Sequence, residues 1–147
     1  MGVKISGLTA KGAALATTDL IEISQDAGGG TYASRRITGA NIRDPRVQSV
    51  TSSATVTATS TNDLVKITAQ AAGLTLANPT GTFAEGQALI YRINDNGTAR
   101  SITFGAKFRA LGVTLPTTTT ISKTTYVGCI YNSTDDKFDV IASLTEA

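Results

Sequence analysis

Apolar and polar residues alternate along this chain with a period of two over short stretches, and the best helical spacing, "TAKGAALA", is short and interrupted by Gly12. "LIEIS" at 20–24 alternates as a strand does, and "TYASRRIT" at 31–38 is its natural partner, with Gly28, Gly29 and Gly30 in the connecting turn. From Val47 onward, short strand-like runs are punctuated by turn residues. "VTSSATVTATS" reads as one strand and "LVKITAQ" as the next, with "TND" between them and Val65, Ile67 and Ala69 on one face. "LTLANPTGTFAEG" gives a short strand and a loop marked by Pro79, Gly81 and Gly86.

Two pairs of runs look like hairpins. "QALIYRI" and "SITFGAKF" enclose "NDNGTAR", whose Asn96-Gly97 step favours the tight turns that join antiparallel strands. "TTYVGCIYN" and "KFDVIAS" enclose "STDD". The pattern predicts Leu89, Tyr91, Ile93, Ile102, Val127 and Ile130 as core. In the run 87–93, Leu89, Tyr91 and Ile93 share one face while Ala88 and Ile90 occupy the other, so this strand is expected to be covered on both sides. The fold class expected is all-β: an antiparallel β-sandwich or barrel-like module over 47–147, preceded by an N-terminal arm over 1–46 with a short hairpin. A two-stranded hairpin is marginal alone in water. The arm should therefore pack on another surface, and "RDPR" reads as its hinge because Pro45 disfavours a helical Asp44.

Composition narrows the chemistry. The 147 residues are 41% hydrophobic and 16% charged, which is too apolar for disorder, and the net charge of +2 gives no general attraction for nucleic acid. Histidine is absent, which removes the usual general base and every Ser-His or Cys-His mechanism. The single cysteine, Cys129, sits in an apolar run and reads as a small buried hydrophobe. No apolar run approaches membrane-spanning length, so no membrane partner is expected.

The remaining candidates have plain explanations. Gly28–Gly30 followed by Arg35 and Arg36 lacks the lysine and helix of a phosphate cradle. Asp135, Asp136 and Asp139 place oxygens close together but without calcium-loop spacing, and a hairpin turn explains them. Glu22 and Glu85 are the acids to consider for glycoside hydrolysis, which needs a second carboxylate nearby, and the sequence shows no such pairing. No catalytic residue, cofactor or metal ligand is assigned. The arm carries the expected docking residues. Leu8, Leu15, Leu20, Ile21 and Ile23 must bury their apolar surface somewhere, and Arg35, Arg36, Arg43 and Arg46 would orient the arm against an acidic neighbour.

The arm segment "KISGLTAKGAALATTDLIEISQDAGGGTYASRRITGANI" resembles N-terminal segments of bacteriophage structural proteins. The matching positions are Ile5, Ser6 and Leu8; Thr18, Asp19, Leu20 and Gln25; and Ile37, Thr38, Asn41 and Ile42. The strings from Leu74 to Thr119 and from Lys123 to Ala142 look like a β-rich module of phage fibre and appendage proteins. The resemblance implies a non-enzymatic virion structural protein, assembled in the bacterial host cytoplasm: a short head-fibre or tail-fibre subunit. It implies a homo-oligomer in contact with capsid, portal or tail proteins; the Thr-rich run and the two-sided apolar strand around Ile90 both need partners, and a trimer is expected before a dimer. Capsid decoration or adhesion to a host-surface glycan is the alternative. The Thr-rich run Thr51–Asp63 is then expected to be a strand whose exposed face meets neighbouring copies.

Overall fold

The computed structural model describes residues 20–26, 32–38 and 44–147; in the first two segments it describes the backbone, and of the side chains only that of Ile37, which is half-buried. The chain divides between Asp44 and Pro45 into two compact units. In the first, strands β1 (Leu20–Asp26) and β2 (Tyr32–Thr38) pair antiparallel, with Leu20 opposite Thr38 and Asp26 opposite Tyr32.

The second unit contains nine strands in two sheets. The larger holds β3 (Val47–Val50), β5 (Leu64–Gln70), β7 (Ala88–Asp95), β10 (Thr124–Asn132), β11 (Lys137–Thr145) and β9 (Phe108–Ala110), in that order. The smaller holds β4 (Thr55–Val56), β6 (Leu74–Leu76) and β8 (Ile102–Phe104). The chain alternates between them: β3 to β4, β5 to β6, β7 to β8. Each strand therefore lies parallel to the one laid down a circuit earlier. After this three-circuit coil, β10 closes antiparallel on β7, β11 pairs antiparallel with β10, and β9 runs parallel to β11. No strand pair of the small sheet is antiparallel, so the module is all-β but mixed rather than antiparallel.

The inward side chains of both sheets form one core. Leu74, Leu76 and Val56 come from the small sheet; Val65, Ile67, Leu89, Tyr91, Ile93, Val127 and Val140 come from the large one. Aromatic rings fill one end, where Phe138 meets Phe83 edge-on at 4.8 Å between centroids and Phe108 packs against Phe104 and Tyr91. Complete removal of these side chains from water is the main stabilising term, worth roughly 1.5–3 kcal/mol for each large apolar residue. Gln70, fully buried at the corner between β5 and β6, keeps its amide satisfied. Its Nε2 donates to the carbonyls of Ser53 and Ala72, and its Oε1 accepts from Ser53 N–H. A register shift between Ile67 and Gln70 brings Gln70 inward and leaves Ala69 half-buried, against the expectation that Ala69 would share the core face.

Three further expectations are corrected. The turn at Asn96-Gly97 forms, with Gly97 at φ +99°, yet it does not join a hairpin. It carries the chain out of β7 in the large sheet to β8 in the small one. Buried Asp95 directs that exit: its carboxylate accepts Gly97 N–H, Ser122 N–H and the Thr119 hydroxyl, tying the turn to a distant loop. The Thr-rich run is not one strand. It supplies the two residues of β4, preceded by bends at Thr51 and Ala54, and a single bridge from Thr59 to Thr80, with Val56 and Ala58 inward and Thr59 hydrogen-bonded to Thr61 and Asn62. Ile130 is exposed rather than core, because Val127 and Cys129 take the inward phase of β10 and the next position must face out.

The expected hairpin at "STDD" is present as β10–β11. Asn132 Oδ1 accepts the N–H groups of Thr134 and Asp135, and Asp136 adopts φ +51°, a conformation Asp tolerates better than most residues. No helix among the described residues is long and apolar enough to cross a membrane.

Candidate functional site

The outward faces of the two sheets differ in chemistry. On the small sheet, parallel register places Thr55 beside Thr75 and Thr75 beside Thr103, a row of hydroxyls across all three strands. On the large sheet, the corresponding row is apolar. Register puts Val47 beside Leu64, Leu64 beside Ile90, Ile90 beside Gly128 and Gly128 beside Ala142. The bulge between Gly128 and Cys129 adds Ile141, left outside the ladder, to the end of this row. A second row, further along the strands, runs Lys66, Arg92, Tyr126, Leu144.

Six of the eight large hydrophobic residues exposed in this unit lie on that one face: Val47, Ile90, Tyr126, Ile130, Ile141 and Leu144. Their exposure runs from 37% at Ile130 through 41% at Ile90 to 67% at Leu144. Single exposed apolar residues are ordinary, whereas contiguous exposed apolar groups are characteristic of interaction surfaces. The expectation that the Ile90 side of β7 is covered therefore fails for the isolated unit. The sequence had indicated an apolar second face, but not that this chain's own described residues leave it open.

A shallow depression of about 450 Å³ opens on this face, lined by Arg92, Thr124, Tyr126, Leu144, Thr145 and Glu146. Thr124 N–H donates to the Glu146 carboxylate at 3.0 Å, which fixes the acid at the rim. Neither Lys66 nor Arg92 forms an ion pair among the described residues. Their charges lie along the edge of the apolar row.

The charged residues near the β10–β11 turn are committed to one another. Arg109 binds Asp139 at 2.7 Å and Asp135 at 2.8 Å, and Lys107 binds Asp136 at 2.7 Å. The Arg109 guanidinium holds the Asp139 carboxyl below the usual range, and Lys107 with the Tyr131 hydroxyl does the same for Asp136. The three acids considered for calcium are thus bound to cations of the chain. Among the described residues no group of three or more His, Cys, Asp or Glu is placed to hold a metal. Glu85 accepts both the N–H and the hydroxyl of Ser133, which lowers its pKa. A general acid needs the opposite shift.

At Cys129 and Tyr91, burial in the core raises both acidities' thresholds: the thiol moves up to about 12, and the phenol moves further up still. Both stay neutral. Of the arm residues expected to dock, Leu8, Leu15 and Arg43 lie outside the described residues, as do the side chains of Leu20, Ile21, Ile23, Arg35 and Arg36 and that of Glu22, the acid considered for hydrolysis. Leu20, Ile21 and Ile23 fall in β1 and Arg35 and Arg36 in β2, where Ile23 pairs with Arg35 and Glu22 with Arg36. Arg46 belongs to the second unit. It forms a two-pronged pair with Asp63 at 2.6 and 3.0 Å, and its backbone N–H donates to the same carboxylate. That pair fastens the start of β3 to the start of β5. The outer face of the large sheet was not among the sequence-derived site residues; its signal was the apolar phase Ala88–Ile90 opposite an equally apolar Leu89–Tyr91–Ile93.

No protein-family model, curated protein or solved structure matches this chain.

Proposed function

We propose that this chain is a non-enzymatic structural subunit of a bacteriophage particle, a short head or tail fibre or related appendage. It docks through its arm, residues 1–46, and self-associates through the β-module. The observation that carries the self-association is the open apolar face of the large sheet, a hazard for an isolated protein and an asset for a subunit. The particle assignment rests on the resemblance of the arm and the β-module to phage structural proteins. Docking of the arm would remove apolar surface at roughly 25 cal/mol per Å², less the cost of ordering it.

The test is immunogold labelling and mass spectrometry of particles released from cells that carry the gene. The chain should co-purify with particles at a fixed copy number, and a form beginning at Pro45 should fold yet be missing from them. Absence of the full chain from every particle fraction would end the proposal. Particle incorporation of the shortened form at normal occupancy would remove the arm's role. A second reading, adhesion to a host-surface glycan, draws on Tyr126, an exposed ring in a depression lined with Arg92 and Glu146. Binding on a glycan array that disappears in Tyr126→Ala would favour it.

A further inference from the structure

We infer that the outer face of the large sheet pairs with the same face of a second copy, about a two-fold axis parallel to the strands and midway between β7 and β10. This deepens the self-association part of the proposed function and rests on it. The order β3-β5-β7-β10-β11-β9 puts that axis at the middle of the six strands. Rotation about it lays β7 of one copy over β10 of the other and β5 over β11. The strand axes of the two copies are then nearly aligned, as aligned packed sheets require, with β7 antiparallel to the β10 beneath it.

The face is complementary to itself under this operation. Ile90 and Gly128 are lateral neighbours on adjacent strands, so the rotation sets each Ile90 over the Gly128 of the other copy. A protruding side chain meets a gap, twice. Nothing among the described residues demands glycine at 128. Its φ is not in the left-handed region, and a Cβ there would meet only the Ala142 methyl at 3.6 Å, ordinary contact. The same rotation exchanges Arg92 with Tyr126, giving a guanidinium over an aromatic ring at two places. Lys66 comes over Leu144, two residues from the carboxylate of Glu146. Positive charge lies on β5 and β7, and the acid lies just past the end of β11, opposite Thr124 and about 7 Å further along the strands than the Lys66–Arg92 row, so a two-fold brings unlike charges near one another.

The face is small, and a small face limits the strength without setting it. Four strands about 4.8 Å apart and about 23 Å long present on the order of 450 Å² of projected face per copy. That falls below the roughly 800 Å² per partner of a standard interface, so the pair should form in the micromolar range or weaker. An isologous pair also closes at two, which departs from the trimer expected from the sequence.

Sedimentation velocity of the full chain, from about 1 to about 300 μM, decides the matter alongside Gly128→Val and Ile121→Ser. Ile121 is exposed but lies off the strands, and its change controls for general stickiness. The wild-type chain should pass from monomer to dimer. Gly128→Val should weaken that association at least tenfold while keeping the circular dichroism and melting of the monomer, and Ile121→Ser should leave it unchanged. A trimer, or a dimer indifferent to Gly128→Val, would overturn the pairing while leaving self-association standing. A chain that stays monomeric throughout would remove both.

Discussion

The outer faces of the two sheets are built on the same backbone geometry and end in opposite chemistry. The small sheet presents Thr55, Thr75 and Thr103 in register; the large sheet presents Val47, Leu64 and Ile90 in register. A parallel coil makes such rows inevitable, because each circuit sets like positions side by side. Threonine satisfies that arrangement with β-branched packing and a hydroxyl that water can solvate. Valine and isoleucine satisfy the backbone equally well but leave apolar surface wet. The coil explains the rows, and the choice of residue tells which row waits for a partner.

The largest expected effect separates the inside of the large sheet from its outside. Leu89 and Ile90 are adjacent on β7, one fully buried and one 41% exposed. Leu89→Ala should destabilise the monomer by roughly 2–5 kcal/mol, whereas Ile90→Ala should cost less than about 1 kcal/mol in denaturant unfolding. Equal losses would mean that the outer row is already covered within the chain. Asp95→Ala comes next, since it strips the turn that sends the chain from the large sheet to the small one. Three donors lose their acceptor in a buried site, at a cost of about 1–3 kcal/mol.

Tyr91→Phe should act in the other direction. The Tyr91 hydroxyl is buried without a hydrogen-bond partner among the described residues, so its removal should raise stability by about 1 kcal/mol in chemical denaturation. Acid should have a graded effect. Burial opposes ionisation of Asp95, but its hydroxyl and N–H donors outweigh burial, and Asp63, Asp136 and Asp139 are likewise held below the ordinary value by their cationic partners. Depressed carboxylate pKa values stabilise the fold above about pH 4 and lose that contribution as pH falls through the folded values. Stability against urea should be level near neutrality and decline below about pH 4. The smallest effect belongs to the threonine row, where Thr75→Val should shift monomer stability by no more than about 0.5 kcal/mol.

Much of the strand inventory was legible because alternation is local. β5, β7, β10 and β11 fall where Val65–Ile67, Leu89–Ile93, Val127–Cys129 and Phe138–Val140 repeat at period two. The β10–β11 turn was legible because Asn132 and Asp136 supply its hydrogen bonds and its positive φ nearby in sequence. Strand partners were not. Asn96-Gly97 specifies a turn and says nothing of the sheet the chain enters next; that depends on Asp95 reaching Thr119 and Ser122 far along the chain. Parallel neighbours such as β5 and β7 are joined through a whole circuit, so no local turn announces them. Ile130 was misplaced by apolarity taken without phase. The apolar outer row was half visible, in Ile90, but its continuity through Leu64, Gly128 and Ala142 exists only once the register is known.

Hydroxyl-radical footprinting of the full, unaltered chain at low and high concentration tests the central claim most directly. If the large sheet's outer face meets a second copy, labelling of Tyr126 and Leu144 should fall several-fold between about 1 and about 300 μM, while Ile121 is labelled equally at both. Unchanged labelling of Tyr126 and Leu144 across that range would contradict the account.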